Sequence, residues 1–464
     1  MATTEHSENM RTDVKPFGIK DKIGYLFGDL GNDFFFALSS IFLMVYYTNV
    51  VGISPAMVGM VFLVARVWDA FADVLVGRFI DTRPYNPNGR FRPWIIRCGP
   101  PLVICGALMF IKIPGMSAEF DLFFAFATYL LWGTLYSAVN IPYGSLASVI
   151  TDDPVERSAL STFRTIGSII AFQTIGIVVP LIVFVNNKPD VNRFALMGIA
   201  FAVVAMICYI VCYKMSVERV VAVTEKKKQD LEIGTTLKGL WQNKPFLYLV
   251  LSSLVLMLGT LVTGALSSYL FMDYFHNAKL LSMVYVLGFG IMVIVAPSVA
   301  PLTKKYGKKE VAAVGMLFSA VVYFILYLIP VTDVYWYLGL TFVGDIGRNF
   351  FFYTCWAFVT DVIDYQEYLT GKREDGTVYS MYSFTRKMGQ ALAGGLGGWA
   401  LGMVGYVQKV PQQAEGVGLN LYKFVTLSSA ITFFAIFLIL TFLYPMTKAK
   451  LTHLTEELAQ KRAI

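Results

Sequence analysis

Charge is what this chain has least of. Only 15% of its 464 residues are Asp, Glu, Lys or Arg, where a soluble domain carries about 25%. That scarcity, with 56% hydrophobic residues, excludes an ordinary soluble core and points to an all-α polytopic membrane protein. Histidine is scarcer still. His6, His276 and His453 all fall outside the apolar stretches, which excludes a histidine proton relay within the membrane. The five cysteines, Cys98, Cys105, Cys208, Cys212 and Cys355, lie in or beside apolar segments without zinc or disulfide spacing, and read as small apolar residues. The net charge of +7 is not a nucleic-acid signal, because the basic residues cluster in short loops between apolar runs. No cleavable leader is expected, since the first 22 residues are polar and the first apolar stretch is already a full span.

What the chain has is long apolar runs. With roughly 20 residues per crossing, about twelve spans are expected. The first six run near 27–51, 55–80, 94–113, 122–150, 161–186 and 192–214. The second six run near 246–274, 279–300, 311–330, 334–364, 377–406 and 420–444. A polar stretch with Lys226, Lys227 and Lys228 separates an N-terminal half (1–215) from a C-terminal half with its tail (245–464); the loop between is 216–244. Arg83, Arg90, Arg92 and Arg97 in loop 2–3, the lysine run, and Lys304, Lys305, Lys308 and Lys309 in loop 8–9 lie on one side. The opposite loops 49–55 and 330–336 carry almost no charge. The positive-inside rule then places both termini in the cytoplasm of a cell-membrane protein. Loops 2–3 and 8–9 are each a short basic glycine turn between the second and third span of a half. Two six-helix halves with matching loops predict the major facilitator fold, with a central site and alternating access.

Charges inside spans are costly, at least roughly 2.5–3.5 kcal/mol at the bilayer centre, so those present are candidates for function. In span 2, Asp69 and Asp73 stand one helical turn apart on one face, with Arg66 one turn before them. They suit a cation site or a shared proton; the bland reading is a structural bridge to Arg66, which cannot neutralise both. In span 1, Asp29 and Asp33 either cap and bridge, or Asp33 accepts sugar hydroxyls. In span 4, Trp132, Tyr136, Asn140 and Tyr143 recur at helical spacing, with Ser137 among them. Such a stripe is either packing or an aromatic platform with an amide for a sugar. In span 10, Asp345 and Arg348 form either a self-neutralising pair or an arginine facing an anionic group. The same span ends in Asp361, Asp364 and Glu367, which suit an inner gate with Arg157, Arg373 or Arg386. In span 11, Tyr379, Ser383 and Lys387 share a face, and Lys387 suits a counter-charge to Asp69 and Asp73.

At these residues the chain resembles the glycoside–pentoside–hexuronide:cation symporter family over nearly its whole length. Residues 66–73 look like the family's helix-2 cation motif, 140–146 like its helix-4 motif, and 361–371 with 379–387 like its helix 10–11 region. The resemblance implies that Asp69 and Asp73 bind the coupling cation and that Asp33, Asn140 and Arg164 bind sugar, with Lys387 near both. Two positions depart from melibiose permeases, which have an aspartate where Asn140 stands and a sodium-binding asparagine where Ala72 stands. Losing the amide favours protons over sodium; losing the acid suits an anionic glycoside. The spelling is most similar to glucuronide carriers and somewhat like pentoside carriers.

The expectation is therefore proton symport of a glycoside, with a hexuronide favoured and a sodium-coupled or neutral pentoside or hexoside carrier as the alternative. The cation site is assigned to Asp69, Asp73 and Ser137, and the substrate site to Asp33, Asn140, Arg164, Trp132, Tyr136, Ser383, Lys387 and Arg348. The gate is assigned to Asp361, Asp364, Glu367, Arg157 and Arg373. No cofactor is expected, and the partners are the sugar, the cation and the bilayer, with a monomer suggested. A membrane enzyme is disfavoured because no nucleophile–base set or metal cluster is apparent. A transporter-like sugar sensor would carry an added signalling domain.

Overall fold

The computed structural model describes residues 15–81, 89–151, 153–220, 240–371, 375–410 and 413–463. Its chain forms two compact units: residues 1–226 with 407–411, and residues 227–406 with 412–464.

The first unit holds six long helices: α1 (Ile19–Leu38), α2 (Pro55–Asp81), α3 (Arg92–Leu108), α4 (Ala118–Ile150), α5 (Pro154–Val183) and α6 (Val191–Met215). The second holds α7 (Lys244–Tyr269), α8 (Leu281–Tyr306), α9 (Lys308–Leu328), α10 (Val334–Thr370), α11 (Asp375–Met403), α12 (Val417–Leu438) and a polar α13 (Lys448–Ala463). Among the described residues, eight of these helices are long and apolar enough to cross a membrane. Both α1 and α7, the first helix of each unit, run on into wider π turns, Ser39–Leu43 and Leu270–Tyr274.

Three boundaries moved for identifiable reasons. Helix α1 begins at Ile19, well before the apolar window at 27. Asp21 accepts from the Gly18 backbone N–H at 3.1 Å, and Arg219 grips Asp21 through both terminal nitrogens at 2.9 Å. A buried bidentate pair, each side chain 4% exposed, holds a polar first turn helical. Helix α3 stops at Leu108 rather than 113, where Phe110 and Ile111 turn back on Ala107 and Leu108. Helix α5 ends at Val183 in a hairpin, Phe184–Val185 against Lys188–Pro189. Its two loop residues, Asn186 and Asn187, have positive φ of 47° and 60°, as a type I′ turn requires.

Within the first unit, α1 packs on α5 and α6, and α4 on α2 and α3. Small residues let the backbones approach, as in membrane helix pairs generally. A Cβ on Gly167 of α5 would meet the Leu26 carbonyl oxygen at 2.6 Å. Glu218, just after α6, ties the start of α3 by accepting from the Arg90, Phe91 and Arg92 N–H groups at 2.7–2.9 Å, neutralising the positive end of that helix. Within the second unit, α9 meets α10 at Gly315 and Gly347, and Ser319 donates to the Gly344 carbonyl at 2.7 Å.

Candidate functional site

The polar residues of the first unit converge on one row of α1. Asp29, Asn32 and Asp33 lie at i, i+3 and i+4, so they share a face, and all three are buried. Together they reach three other helices. Asp29 accepts from Arg164 Nε of α5 at 2.9 Å. Asp33 accepts from Ser168 one turn further along α5. Asn32 donates to Asn140 Oδ1 of α4 at 3.3 Å and accepts from the Tyr209 hydroxyl of α6 at 2.8 Å. Arg164 also lies over the Tyr143 ring, 5.4 Å from its centroid, and Tyr143 stacks on Tyr25 and donates to its carbonyl at 2.6 Å. The Arg164 side chain stays 40% exposed while Asp29 is 7% exposed, so the guanidinium reaches from its buried partner to an open edge.

A second cluster joins α2 to α4. Arg66 pairs with Asp69 Oδ2 at 3.2 Å, their side chains 17% and 18% exposed. The guanidinium sits 5.4 Å from the Phe36 ring and 5.8 Å from that of Tyr129, where it gains cation–π attraction. The Asp69 carboxylate presses on the Cα of Gly133, where any Cβ would overlap it. Trp68 donates to Thr134 at 2.9 Å, fixing the same helix pair. Ser137, one turn beyond Gly133, is buried and donates to the Gly133 carbonyl at 3.2 Å. Asp73 lies one turn beyond Asp69 on α2, half-buried. Trp132 is buried between Tyr129 and Tyr136, with ring centroids 5.8 and 5.4 Å away, and Tyr136 stacks on Phe36 at 6.0 Å.

In the second unit, α10 carries Asp345, Arg348 and Asp361. Arg348 pairs with Asp345 at 2.9 Å, and the Tyr323 hydroxyl donates to the other Asp345 oxygen at 2.9 Å. Asp361 takes Lys308 of α9 at 2.6 Å, a partner within its own unit that the sequence reading did not name. Arg157 donates to the Thr151 and Ser148 carbonyls at 2.9 and 3.1 Å, capping the end of α4. Asp364 and Glu367 continue the α10 row, half-buried. Arg373 lies outside the described residues, as do the side chains of Tyr379, Ser383 and Lys387.

Sequence reasoning brought Asp33, Asn140 and Arg164 forward, and the structure ties all three to the α1 row. It left out Asn32, Ser168 and Tyr209. Ser168 follows Arg164 by four residues and so shares its face. Tyr209 carried no comparable signal, because its partner is 177 positions away.

Two helical units with charges in apolar helices α1, α2 and α10 fit a multi-pass helical transporter of the major facilitator fold. The chain belongs to the MFS/sugar transport protein family, whose profile matches residues 24–448. It is 34% identical to the uncharacterized symporter YjmB of Bacillus subtilis (strain 168), over 96% of each chain. It is 32% identical to the glucuronide carrier protein homolog of Escherichia coli (strain K12), over 95% of this chain and 96% of that one. It is 31% identical to the isoprimeverose transporter of Lactiplantibacillus pentosus, over 86% and 83%. In fold it resembles the crystal structure of a D-xylose-proton symporter, with a TM-score of 0.65 at 12% identity, over 92% of this chain and 98% of that one. It is thus a symporter of the glycoside–pentoside–hexuronide type and not an enzyme.

Proposed function

We propose that this symporter carries a hexuronide glycoside into the cell together with protons. The observation that supports an anionic sugar is the disposition of Arg164. A planar guanidinium has five N–H donors, and Asp29 takes the Nε edge. The remaining edge, on a side chain 40% exposed as a whole, suits a substrate carboxylate held through paired charge-assisted bonds. Asn140, one of the residues tied to the same α1 row, contributes an amide where galactoside carriers resemble one another in having an acid. The name of the glucuronide carrier relative agrees with this reading. Proton coupling rests on the Asp69 and Asp73 carboxylates and on Ala72, buried where an amide would serve sodium.

The protein reconstituted in liposomes tests both parts. Excess glucuronide is expected to block uptake of a labelled glucuronide while the matching neutral glucoside does not. An imposed pH gradient is expected to drive accumulation at fixed sodium. A strong sodium requirement without a pH-gradient effect overturns proton coupling. A neutral reading has its own support, because Arg66–Asp69, Arg164–Asp29 and Arg348–Asp345 are each already paired. If the neutral sugar competes as well or better, a pentoside or hexoside replaces the hexuronide.

A further inference from the structure

We propose that Tyr209, acting through Asn32, fixes which end of the Asn140 amide meets the substrate, turning its NH2 donors outward so that it favours a sugar carboxylate over its neutral counterpart. This inference rests on the proposed hexuronide reading and adds the device that enforces it.

Tyr209 is 1% exposed, with its ring against Gly31 of α1 and Gly99 of α3. A phenol has one hydrogen to give. Among the described residues, the acceptor for it is Asn32 Oδ1 at 2.8 Å. Turning the Asn32 amide over would make the phenol an acceptor and leave its own hydrogen buried without a partner, an arrangement that buried polar groups avoid. The Asn32 carbonyl end is therefore held toward α6, and its NH2 end faces α4. There it donates to Asn140 Oδ1 at 3.3 Å. With its oxygen turned toward Asn32, Asn140 presents its NH2 end on the other side. Asn140 is half-buried, and among the described residues no acceptor takes those donors.

The consequence is chemical. An amide free to rotate serves a hydroxyl as donor or as acceptor. An amide locked oxygen-inward favours an acceptor, and a carboxylate is the strongest acceptor a sugar carries. Of the two acids on the row, Asp29 is charge-paired with Arg164, and the neutral Ser168 hydroxyl donates to Asp33. Tyr209 is a positioning residue in this scheme, since it lies behind Asn32 and acts through it.

The full chain in proteoliposomes, with 4-nitrophenyl β-D-glucuronide and 4-nitrophenyl β-D-glucoside as probes, tests the inference. Wild type is expected to favour the glucuronide in kcat/KM. Tyr209→Phe keeps the ring and removes the hydroxyl, and is expected to shrink that preference about tenfold, the scale of one charge-assisted bond. The change should appear in KM for the glucuronide, with kcat near wild type. Asn32→Ala cuts the same relay at its middle link and must shrink the preference likewise. In an Asn140→Ala background, Tyr209→Phe should change nothing further, because its effect runs through Asn140. An unchanged preference in Tyr209→Phe or in Asn32→Ala overturns the inference while leaving hexuronide transport standing, and so does an undiminished Tyr209→Phe effect in the Asn140→Ala background. A wild type that takes the glucoside and ignores the glucuronide overturns both.

Discussion

The first helices of the two units, α1 and α7, have the same architecture and opposite chemistry. Each continues into a π turn, Ser39–Leu43 and Leu270–Tyr274. In α1 the buried row is Asp29, Asn32 and Asp33, and every member bonds to another helix. Between Lys244 and Tyr269, α7 has no acid at all. Its hydroxyls mostly turn inward on their own backbone: Ser252 to the Tyr248 carbonyl, Thr260 to Leu256, Thr263 to Gly259, Ser267 to Thr263. What holds α7 is close packing, such as Gly259 against Thr432 of α12. A repeated scaffold thus fixes helix positions, and the side chains on it divide the labour. The first unit concentrates charge on its central helix and on α2. In the second, α10 carries the acids of two described pairs, Asp345–Arg348 within one helix and Asp361 with Lys308 of α9.

That contrast can be broken by substitution. The largest effect is expected at Asp69 and Asp73. Asp69→Asn or Asp73→Asn should abolish uphill accumulation while part of the exchange between internal and external sugar survives, measured as accumulation ratio against counterflow. A mutant that still concentrates substrate normally would remove these acids from the coupling step.

Next come two glycines, one in each unit. Gly133→Ala places a Cβ in the space of the Asp69 carboxylate, and is expected to lower the accumulation ratio about tenfold or more at near-normal expression. Gly259→Ala overlaps the Thr432 side chain instead, and is expected to destabilise the fold by about 1–3 kcal/mol, seen as a lower melting temperature, without changing the ratio of sugar to cation moved. Equal loss of coupling in the two variants would erase the distinction between the units.

The smallest effects separate the two ion pairs. Asp29→Asn leaves Arg164 without its carboxylate. A fully buried pair broken this way costs about 3–5 kcal/mol, and the 40% exposure of Arg164 reduces that to about 1–3 kcal/mol. Asp345→Asn breaks a pair within one helix, worth about 0.3–1 kcal/mol. Thermal unfolding of the two variants in detergent should rank them in that order, and the reverse ranking would mean that the second unit depends more on its charges than the first.

Much of the first unit's site was legible from local pattern. Asp69 and Asp73 stand out because helical spacing and the cost of charge in an apolar span act on neighbouring residues, whatever the rest of the chain does. Arg66–Asp69 and Arg348–Asp345, both three residues apart, were legible for the same reason. The gate reading looked for arginines as partners of Asp361 and passed over Lys308, although Lys308 stood in a basic loop. Nothing in spacing tells which of several basic residues a carboxylate will meet when 53 positions separate it from the one it takes.

The sequence by itself determined the membrane class, the six-plus-six order of helices and the face of α2 that carries the acids, because apolar length and helical period are properties of contiguous residues. Tertiary structure alone decided the partners of the α1 row. Asp29 and Arg164 are 135 residues apart, Asn32 and Asn140 are 108, and Asn32 and Tyr209 are 177. Hydrogen bonds over such separations leave no periodic trace along the chain. They exist because Gly28 and Gly31 of α1 and Gly167 of α5 let α1 close onto Tyr143 of α4, Tyr209 of α6 and the backbone of α5, and only that packing aims one donor at one acceptor.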